Sequence, residues 1–272
     1  MLKLAVLGAQ TLVGRELVQV LEQRECSVLP LTAGSLSKLE EEGDVVVFAP
    51  TPLLLEGLDV VIVVETPQDP ALLEGFPGRV LDLRPNPDPA AESFPLAGAW
   101  PTKQRRLRGR PALEQVLAML PQLVSGLGEV GGTHLRSVAD LGDNGLDGLM
   151  EQTVAVLKGE DPSLEKLGYR AAFEAVPQAP RGSLIEVRVP VFHGDLLILH
   201  LRAAEDEELK LLDAPAGAKW VEQPPSNRDV AVSPELLAHW SLGANQRSGV
   251  LTLGFDPILW GVLRPVARLL EL

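Results

Sequence analysis

The sequence predicts an α/β protein in two parts: an N-terminal, doubly wound parallel sheet, and a C-terminal α+β half whose sheet is mainly antiparallel. Three observations lead there. Apolar runs at 2–7 (LKLAVL), 58–67 (LDVVIVVETP) and 79–85 (RVLDLRP) read as strands buried on both faces and joined by short links. A glycine turn, Gly8 to Gly14, stands between the first run and an amphipathic segment. Late in the chain, SLIEVRVPVFHGDLLILHLR alternates apolar and polar, as half-buried antiparallel strands do.

Each element follows in order. After the strand at 2–7, Val13, Leu17, Val20 and Leu21 fall on one helical stripe. Further strands are predicted at 27–31 (SVLPL), 44–50 (DVVVFAP), 58–67 and 79–85. Several links are too short for a full helix, so this half is an economised Rossmann-like domain. Residues 86–109, rich in Pro, Ala and Arg, read as loop. Residues 111–127 read as helix, with Pro111 near the first turn and Leu113, Val116, Leu117 and Leu120 on one side.

The stretch from His134 predicts a strand, a Gly-Asp-Asn-Gly turn and a helix over 146–157. Two strands of antiparallel type then flank a turn or bulge at His193-Gly194-Asp195, and the DEEL stretch at 206–209 starts a short helix. Residues 250–257 read as a strand and 258–272 as a helix interrupted by Pro265. The division is a Rossmann-like, NAD(P)-binding-type domain over 1–111, with the helix at about 256–272 packing back onto it, and a second domain over 112–255.

The 272 residues are 46% hydrophobic and 22% charged, the composition of a packed domain rather than a disordered chain. A net charge of −13 repels phosphate backbones and anionic lipid, so neither nucleic acid nor membrane is an expected partner. The lone cysteine, Cys26, excludes an internal disulfide and a Cys-rich metal site, and suits a reducing cytoplasm. The opening MLKLAVLGAQ has no small-residue cleavage site, and no apolar run reaches ~18 residues, so a cytoplasmic location is expected. His134, His193, His200 and His239 show no ligand spacing, and no metal is predicted.

Gly8, Gln10, Thr11, Leu12, Val13 and Gly14 lie where a dinucleotide-binding turn places its residues. In such a turn the first glycine allows the tight bend, the last allows close helix–strand packing, and the middle one lets backbone N–H groups reach a pyrophosphate. The middle place here is Thr11. An acidic residue ending the second strand would grip a ribose, yet Leu31 is followed by Thr32, Ala33, Gly34 and Ser35. Two readings stay open: glycines kept for packing alone, or residual nucleotide binding.

These segments together resemble one family. GAQTLVGRELVQVLEQ resembles the GATGxVGxxLxxxL opening of the aspartate-β-semialdehyde dehydrogenases. VADLGDNGLDGLMEQT is similar to their SGAGxxGxxEL-Q segment, FEAVPQAP to their FNVIPQ segment, and EVRVPVFHGD to their RVPVxxGHS strand. The end, LTLGFDPILWGVLRPVARLLEL, resembles their C-terminal helix, and the matches keep their order along the whole chain. The GD after RVPVF most resembles the Usg-1-type paralogous branch, in which that histidine is also replaced. The resemblance implies a C-terminal dimerisation domain, a homodimer, and NADP as cofactor. It also implies a reaction in which a cysteine thiolate attacks the aldehyde, a histidine serves as acid/base, NADP takes the hydride, and phosphate cleaves the thioester.

Carried onto this chain, the requirements are not met. The stretch at 107–113, LRGRPAL, matches the family's PNCST-like turn and holds neither cysteine nor serine. Without a thiolate there is no covalent intermediate. Cys26 follows the first helix and reads as a small structural residue. Asp195, seven residues after Arg188, takes the histidine's place, and His193 reads as a surface side chain. Arg188 stands where the family binds the substrate carboxylate, and Arg136 where it has a glutamine. The link at 179–183 is far shorter than the family's substrate helix, and Pro257 and Pro265 replace asparagines.

The expectation is a catalytically inactive relative, a dimeric binding or assembly protein that meets a second copy or a protein partner. Three alternatives are kept. One is a residual NADP or small-anion binder, with Arg188 or Arg136 anchoring a carboxylate. Another is an active NADP-dependent semialdehyde dehydrogenase of amino-acid biosynthesis. The last is a different enzyme using Asp195, His193 or Asp82 as acid/base.

Overall fold

The computed structural model describes residues 1–34, 46–84, 87, 89–180, 182–243 and 246–272. In chain order the elements are β1 (Leu2–Leu7), α1 (Leu12–Glu22), β2 (Cys26–Leu31), α2 (Pro52–Leu55), β3 (Val60–Val63), β4 (Arg79–Asp82), β5 (Glu92–Ser93), β6 (Arg106–Arg108), α3 (Ala112–Leu117), α4 (Leu120–Leu123), β7 (Val124–Ser125) and β8 (Leu127–Arg136). There follow α5 (Asp143–Leu157), β9 (Val176–Pro177), β10 (Leu184–Arg188), β11 (Asp195–Ala203), β12 (Lys210–Leu211), β13 (Ala218–Trp220), α6 (Asn227–Ala231), β14 (Leu236–Leu242), β15 (Ser248–Phe255) and α7 (Arg264–Leu269). They divide into two units, Met1–Gln115 with Trp260–Leu272, and Val116–Leu259.

The first unit holds a six-stranded parallel sheet in the order β2-β1-β3-β4-β6-β5. Its central strands β1, β3 and β4 are buried on both faces, as their continuous apolar runs require. On one face Ala5, Leu7, Val61, Val63 and Val80 pack with Leu55 of α2 and Leu73 of a 3-10 turn, Pro70–Leu73. Helix α1 packs on β1 and β2 and buries Gly14, Leu17, Val18 and Leu21. That is an i, i+3, i+4, i+7 stripe, and each large apolar side chain in it contributes ~2 kcal/mol. Val18 therefore takes the place that the sequence assigns to Val20, because the stripe is set by Gly14 against the turn before it.

Three expectations for this unit are corrected. The strand expected at 44–50 leaves only a single bridge, Leu31↔Phe48; residues 44 and 45, like Ser35, lie outside the described residues. Pro30 accepts from Phe48 on that edge and has no N–H with which to extend the ladder. The strand at 79–85 ends at Asp82, with residue 85 outside the described residues. The loop at 86–109 contributes the short strand β6, bounded by Arg106 and Arg108, and beyond it the edge strand β5.

At the C-terminus Pro265 does not break the helix. A π turn over Leu259–Leu263 leads into α7, with Pro265 in its first turn. Pro265 lacks the N–H that would bond the Gly261 carbonyl, and Gln115 Nε2 donates to that oxygen at 3.3 Å instead. Asp256 opens the segment, its Oδ1 accepting from Ile258 and Leu259 N–H, which makes Pro257 a first-turn proline. Arg268 donates to the Pro95 and Leu96 carbonyls and so fastens α7 within the first unit.

The second unit holds a mainly antiparallel seven-stranded sheet, β13-β14-β15-β11-β8-β10-β9. The two halves of EVRVPVFHGDLLILHLR do not form a hairpin. β10 lies parallel to β8, and β11 lies antiparallel to β8 on its other side. The reason is the connection: β8 reaches β10 through α5, and a crossover of that length makes a parallel pair. Residues 189–194 then pass the end of β8, held by Val189 N–H to Arg136 O and Val138 N–H to Val191 O.

On one face of this sheet Leu197, Leu199, Leu201, Leu251, Leu253 and Phe255 are buried. The other face is left half open: Leu196, Ile198 and Val250 are partly buried and Ile185 is 54% exposed. The helix expected over 111–127 stops at Leu117, resumes briefly as α4, and gives way to β7 and β8. Pro121 cannot donate back into the preceding turn. α5 begins at Asp143, three residues before the expected start at 146. The DEEL stretch is not helical: Asp206 has φ +62 in a turn, and β12 follows to pair with β7.

Candidate functional site

The glycine turn lies at the C-terminal end of β1, between β2 and β3, where open parallel sheets hold ligands. Gly8 has φ +93, and a Cβ there would stand 2.7 Å from Glu65 Cβ. At Gly14 a Cβ would meet Gly8 O at 2.1 Å. Both glycines are thus required by close approach, whatever is bound. Thr11 caps α1: its Oγ1 accepts from Gly14 N–H at 3.1 Å and donates to Gly8 O at 2.8 Å. Gly8 and Ala9 N–H both donate to Leu31 O, and Thr11 N–H to Gly8 O. Gln10 Nε2 donates to Glu65 Oε2, which sets a carboxylate beside the turn. Leu12 and Val13 are half-buried in the first turn of α1.

In the second unit Asp195 is 2% exposed and opens β11. Its Oδ2 accepts from His134 Nε2 at 2.9 Å, and its Oδ1 accepts from Ser137 N–H and Ser137 Oγ, each at 2.8 Å. An ionised carboxylate only accepts, so Nε2 carries the proton of that histidine. The ring stacks on Phe255 with centroids 5.8 Å apart, and Nδ1 is buried with no hydrogen-bond partner among the described residues. The histidine beside Asp195 is therefore His134 on β8, while His193 stays half-exposed in the turn.

Beyond this cluster lie the two arginines. Parallel pairing of β8 and β10 sets Arg136 opposite Arg188 and His134 opposite Glu186. Arg188 is buried; its Nη1 donates to Ser137 O at 2.9 Å and to Asp140 Oδ1. Arg136 donates to Glu186 Oε2 at 2.7 Å and to Asp140 Oδ2. Burial opposes the charge of Arg136, but Asp140 and Glu186 outweigh it and hold its pKa above the usual arginine value. Both guanidiniums already have carboxylates of the chain itself.

The remaining candidates have partners of their own. Asp82, at the end of β4 in the first unit, accepts from Arg84 Nε at 2.8 Å and from Arg84 Nη2 at 2.6 Å. Cys26 Sγ donates to Leu21 O at 3.0 Å, and burial pushes its thiol pKa up, away from the reactive thiolate. In the stretch at 107–113, Arg108 donates to Ser93 Oγ and Arg110 to the Phe94 carbonyl. His200 is exposed, and His239 contacts Val221 O and Ser241 Oγ. Among the described residues no three His, Cys, Asp or Glu side chains converge as a metal site requires.

Sequence reasoning missed Ser137, Asp140, Glu186 and Tyr169. The Arg136–Asp140 i, i+4 spacing was a usable signal for one of them. The Glu186–Arg136 pair needed the β8–β10 register, which local alternation does not encode.

No protein-family model and no curated protein matches the chain. Solved structures do. An aspartate semialdehyde dehydrogenase II complexed with ASA, from Vibrio cholerae, superposes with a TM-score of 0.79 at 16% identity, over 100% of this chain and 97% of that one. A protein described as a probable aspartate-semialdehyde dehydrogenase from Pseudomonas aeruginosa gives 0.75 at 19% identity, over 98% and 97%. The aspartate semialdehyde dehydrogenase from Francisella tularensis gives 0.74 at 14% identity, over 100% and 99%. The chain has the fold of the aspartate-semialdehyde dehydrogenases.

Proposed function

We propose that this chain is a catalytically inactive protein of aspartate-semialdehyde-dehydrogenase fold, working as a homodimeric binding or assembly protein of the Usg-1 type. The observation that carries the reading is Asp195, which has both oxygens engaged by His134 and Ser137 in a site that excludes water. A carboxylate so held and only 2% exposed is withdrawn from any substrate proton. Arg188 is committed to Asp140, and the stretch at 107–113 offers no nucleophile for any acid/base to activate.

The turn at 8–14 does not fit a dinucleotide pyrophosphate: the Thr11 hydroxyl is spent within the turn, and the Glu65 carboxylate stands beside it. No step is therefore assigned to NADP. The role proposed for residues 1–111 and the helix at about 256–272 is that of a retained frame, with 112–255 as the dimerising part.

Support for a homodimer comes from the half-open sheet face with Ile185, Leu196, Ile198 and Val250, which carries a depression of ≈ 840 Å³ lined by His200, Arg202 and Glu129 among others. No helix among the described residues is long and apolar enough to cross a membrane. A cytoplasmic location accords with a lone, partly buried thiol at Cys26.

The test is turnover and size. Aspartate semialdehyde, NADP and phosphate give no NADPH above the protein-free blank, and light scattering returns twice the chain mass. A protein-dependent rate defeats the first half of the proposal, and a monomer at micromolar concentration the second.

A further inference from the structure

We infer that, across the open sheet face of the second unit, His200 of each copy enters the hollow beside Gly131 of the other, and that protonation of this histidine separates the two copies. The inference rests on the homodimer proposed above and adds its control by pH.

Strand register lays the face out in rows. Ile185, Thr133, Ile198, Thr252 and His239 stand side by side on β10, β8, β11, β15 and β14. The next row is Gly131, His200, Val250 and Ser241, and the row beyond it Glu129, Arg202 and Ser248. His200 is exposed and is the largest side chain of its row, while Gly131 beside it has none. The φ of Gly131 is not positive, and a Cβ there would come only to 3.4 Å of Ser183 O. The fold of a single copy therefore does not require that glycine, in contrast to Gly8 and Gly14. A knob and a hole thus lie next to each other in the depression of ≈ 840 Å³. Two-fold contacts ask this of a surface, because each copy must supply what the other receives, and packed sheets interdigitate.

Charge points to a second copy as the occupant. The chain carries −13, yet the only formal charges in these three rows at neutral pH are Glu129 and Arg202. They approach to 3.6 Å across β8 and β11, with side chains 80% and 74% exposed. A two-fold axis offers each a partner of opposite sign from the other copy. A strongly acidic or basic partner would find no net charge to recognise.

Histidine is the side chain that changes charge between about pH 8 and 5. The titratable and charged groups that share this face with His200 are Arg202 on its own strand, Glu129 on β8 and His239 on β14. β10 and β15 bring none to it. A neutral imidazole fills the hollow as a flat, mostly apolar ring. A protonated one places a cation among Gly131, Val250 and Ile198, and the one carboxylate of the face is already set against Arg202. The face then turns from neutral to positive in both copies at once. With salt screening beyond about 8 Å, this local change outweighs the charge of the whole chain.

Sedimentation velocity in about 0.15 M salt tests it. The dimer dissociation constant of the wild-type chain is expected to rise at least about tenfold from about pH 7.5 to about pH 5.5. His200→Gln keeps much of the bulk but takes no proton, and its constant should change less than about threefold. Gly131→Val fills the hollow and should weaken the dimer about tenfold at the higher pH. No rise in the wild type, or an equal rise in His200→Gln, overturns the inference and leaves the dimer standing. Wild-type affinity in folded Gly131→Val overturns the seat given to His200. A wild-type chain that is monomeric at about pH 7.5 overturns the dimer itself, and this inference with it.

Discussion

The Gly8–Gly14 turn of the first unit and the charged cluster of the second both hold candidate site residues, but the chain satisfies their polar groups differently. In the turn, backbone groups and one hydroxyl bond to one another, and two glycines are fixed by contacts too close for any side chain. In the cluster, polar side chains are matched one against another: Asp195 with His134 and Ser137, and Asp140 and Glu186 with two arginines. The difference teaches where change is tolerated. A backbone turn of this kind keeps its shape with or without a ligand, because packing alone demands it. A buried charge cannot stand alone, so each one here needs a partner from the chain.

Removing one member of a matched pair should therefore be the most damaging change. Asp195→Ala leaves His134 and Ser137 without their acceptor in a buried site and should cost about 3–5 kcal/mol, read as a shift in the urea midpoint. A loss below about 1 kcal/mol would show that the cluster is not held this way. Gly14→Ala comes next, at about 1–3 kcal/mol, because the new methyl must push α1 away from Gly8. If it unfolds at the wild-type midpoint, the steric account of the turn is wrong.

Thr11 sharpens the contrast within the turn. Thr11→Ala should lose about 1 kcal/mol of capping, while Thr11→Gly, which restores the middle glycine, should lose only a few tenths. Equal losses would mean that the hydroxyl bonds seen here contribute nothing.

The smallest effect is expected at the exposed capping box of α6. Hydrogen bonds from the Ser226 hydroxyl, and then from its N–H, hold the Asp229 carboxyl below the usual carboxylate pKa. The folded value is the lower one, so this contribution is present above the unfolded pKa and is lost as pH falls through the folded one. Asp229→Asn should flatten that part of the acid-unfolding profile and leave the neutral-pH midpoint almost unchanged.

What was legible in the sequence follows the same division. Strand β1, the glycine turn and α1 are encoded within two dozen neighbouring residues, and buried Leu17 and Leu21 follow from period alone. Asp195 was singled out through the resemblance, by its place seven residues after Arg188. The partners of Asp195 were not. His134 and Ser137 lie about sixty residues away and meet it only because β8 is placed between β10 and β11 by the α5 crossover. The two strands on either side of His193-Gly194-Asp195 were readable, but that β8 lies between them was not, for the same reason: local alternation marks strands but does not choose their neighbours.

The central claim is that the fold is present without its reaction, and one kinetic comparison tests it most directly. NADPH formation from aspartate semialdehyde, NADP and phosphate is followed for the wild-type chain and for Asp195→His, which returns the family's residue to that strand. Both are expected to stay at the protein-free blank, because no thiol stands at 107–113 to begin the reaction. A phosphate-dependent rate that scales with wild-type protein would contradict the account.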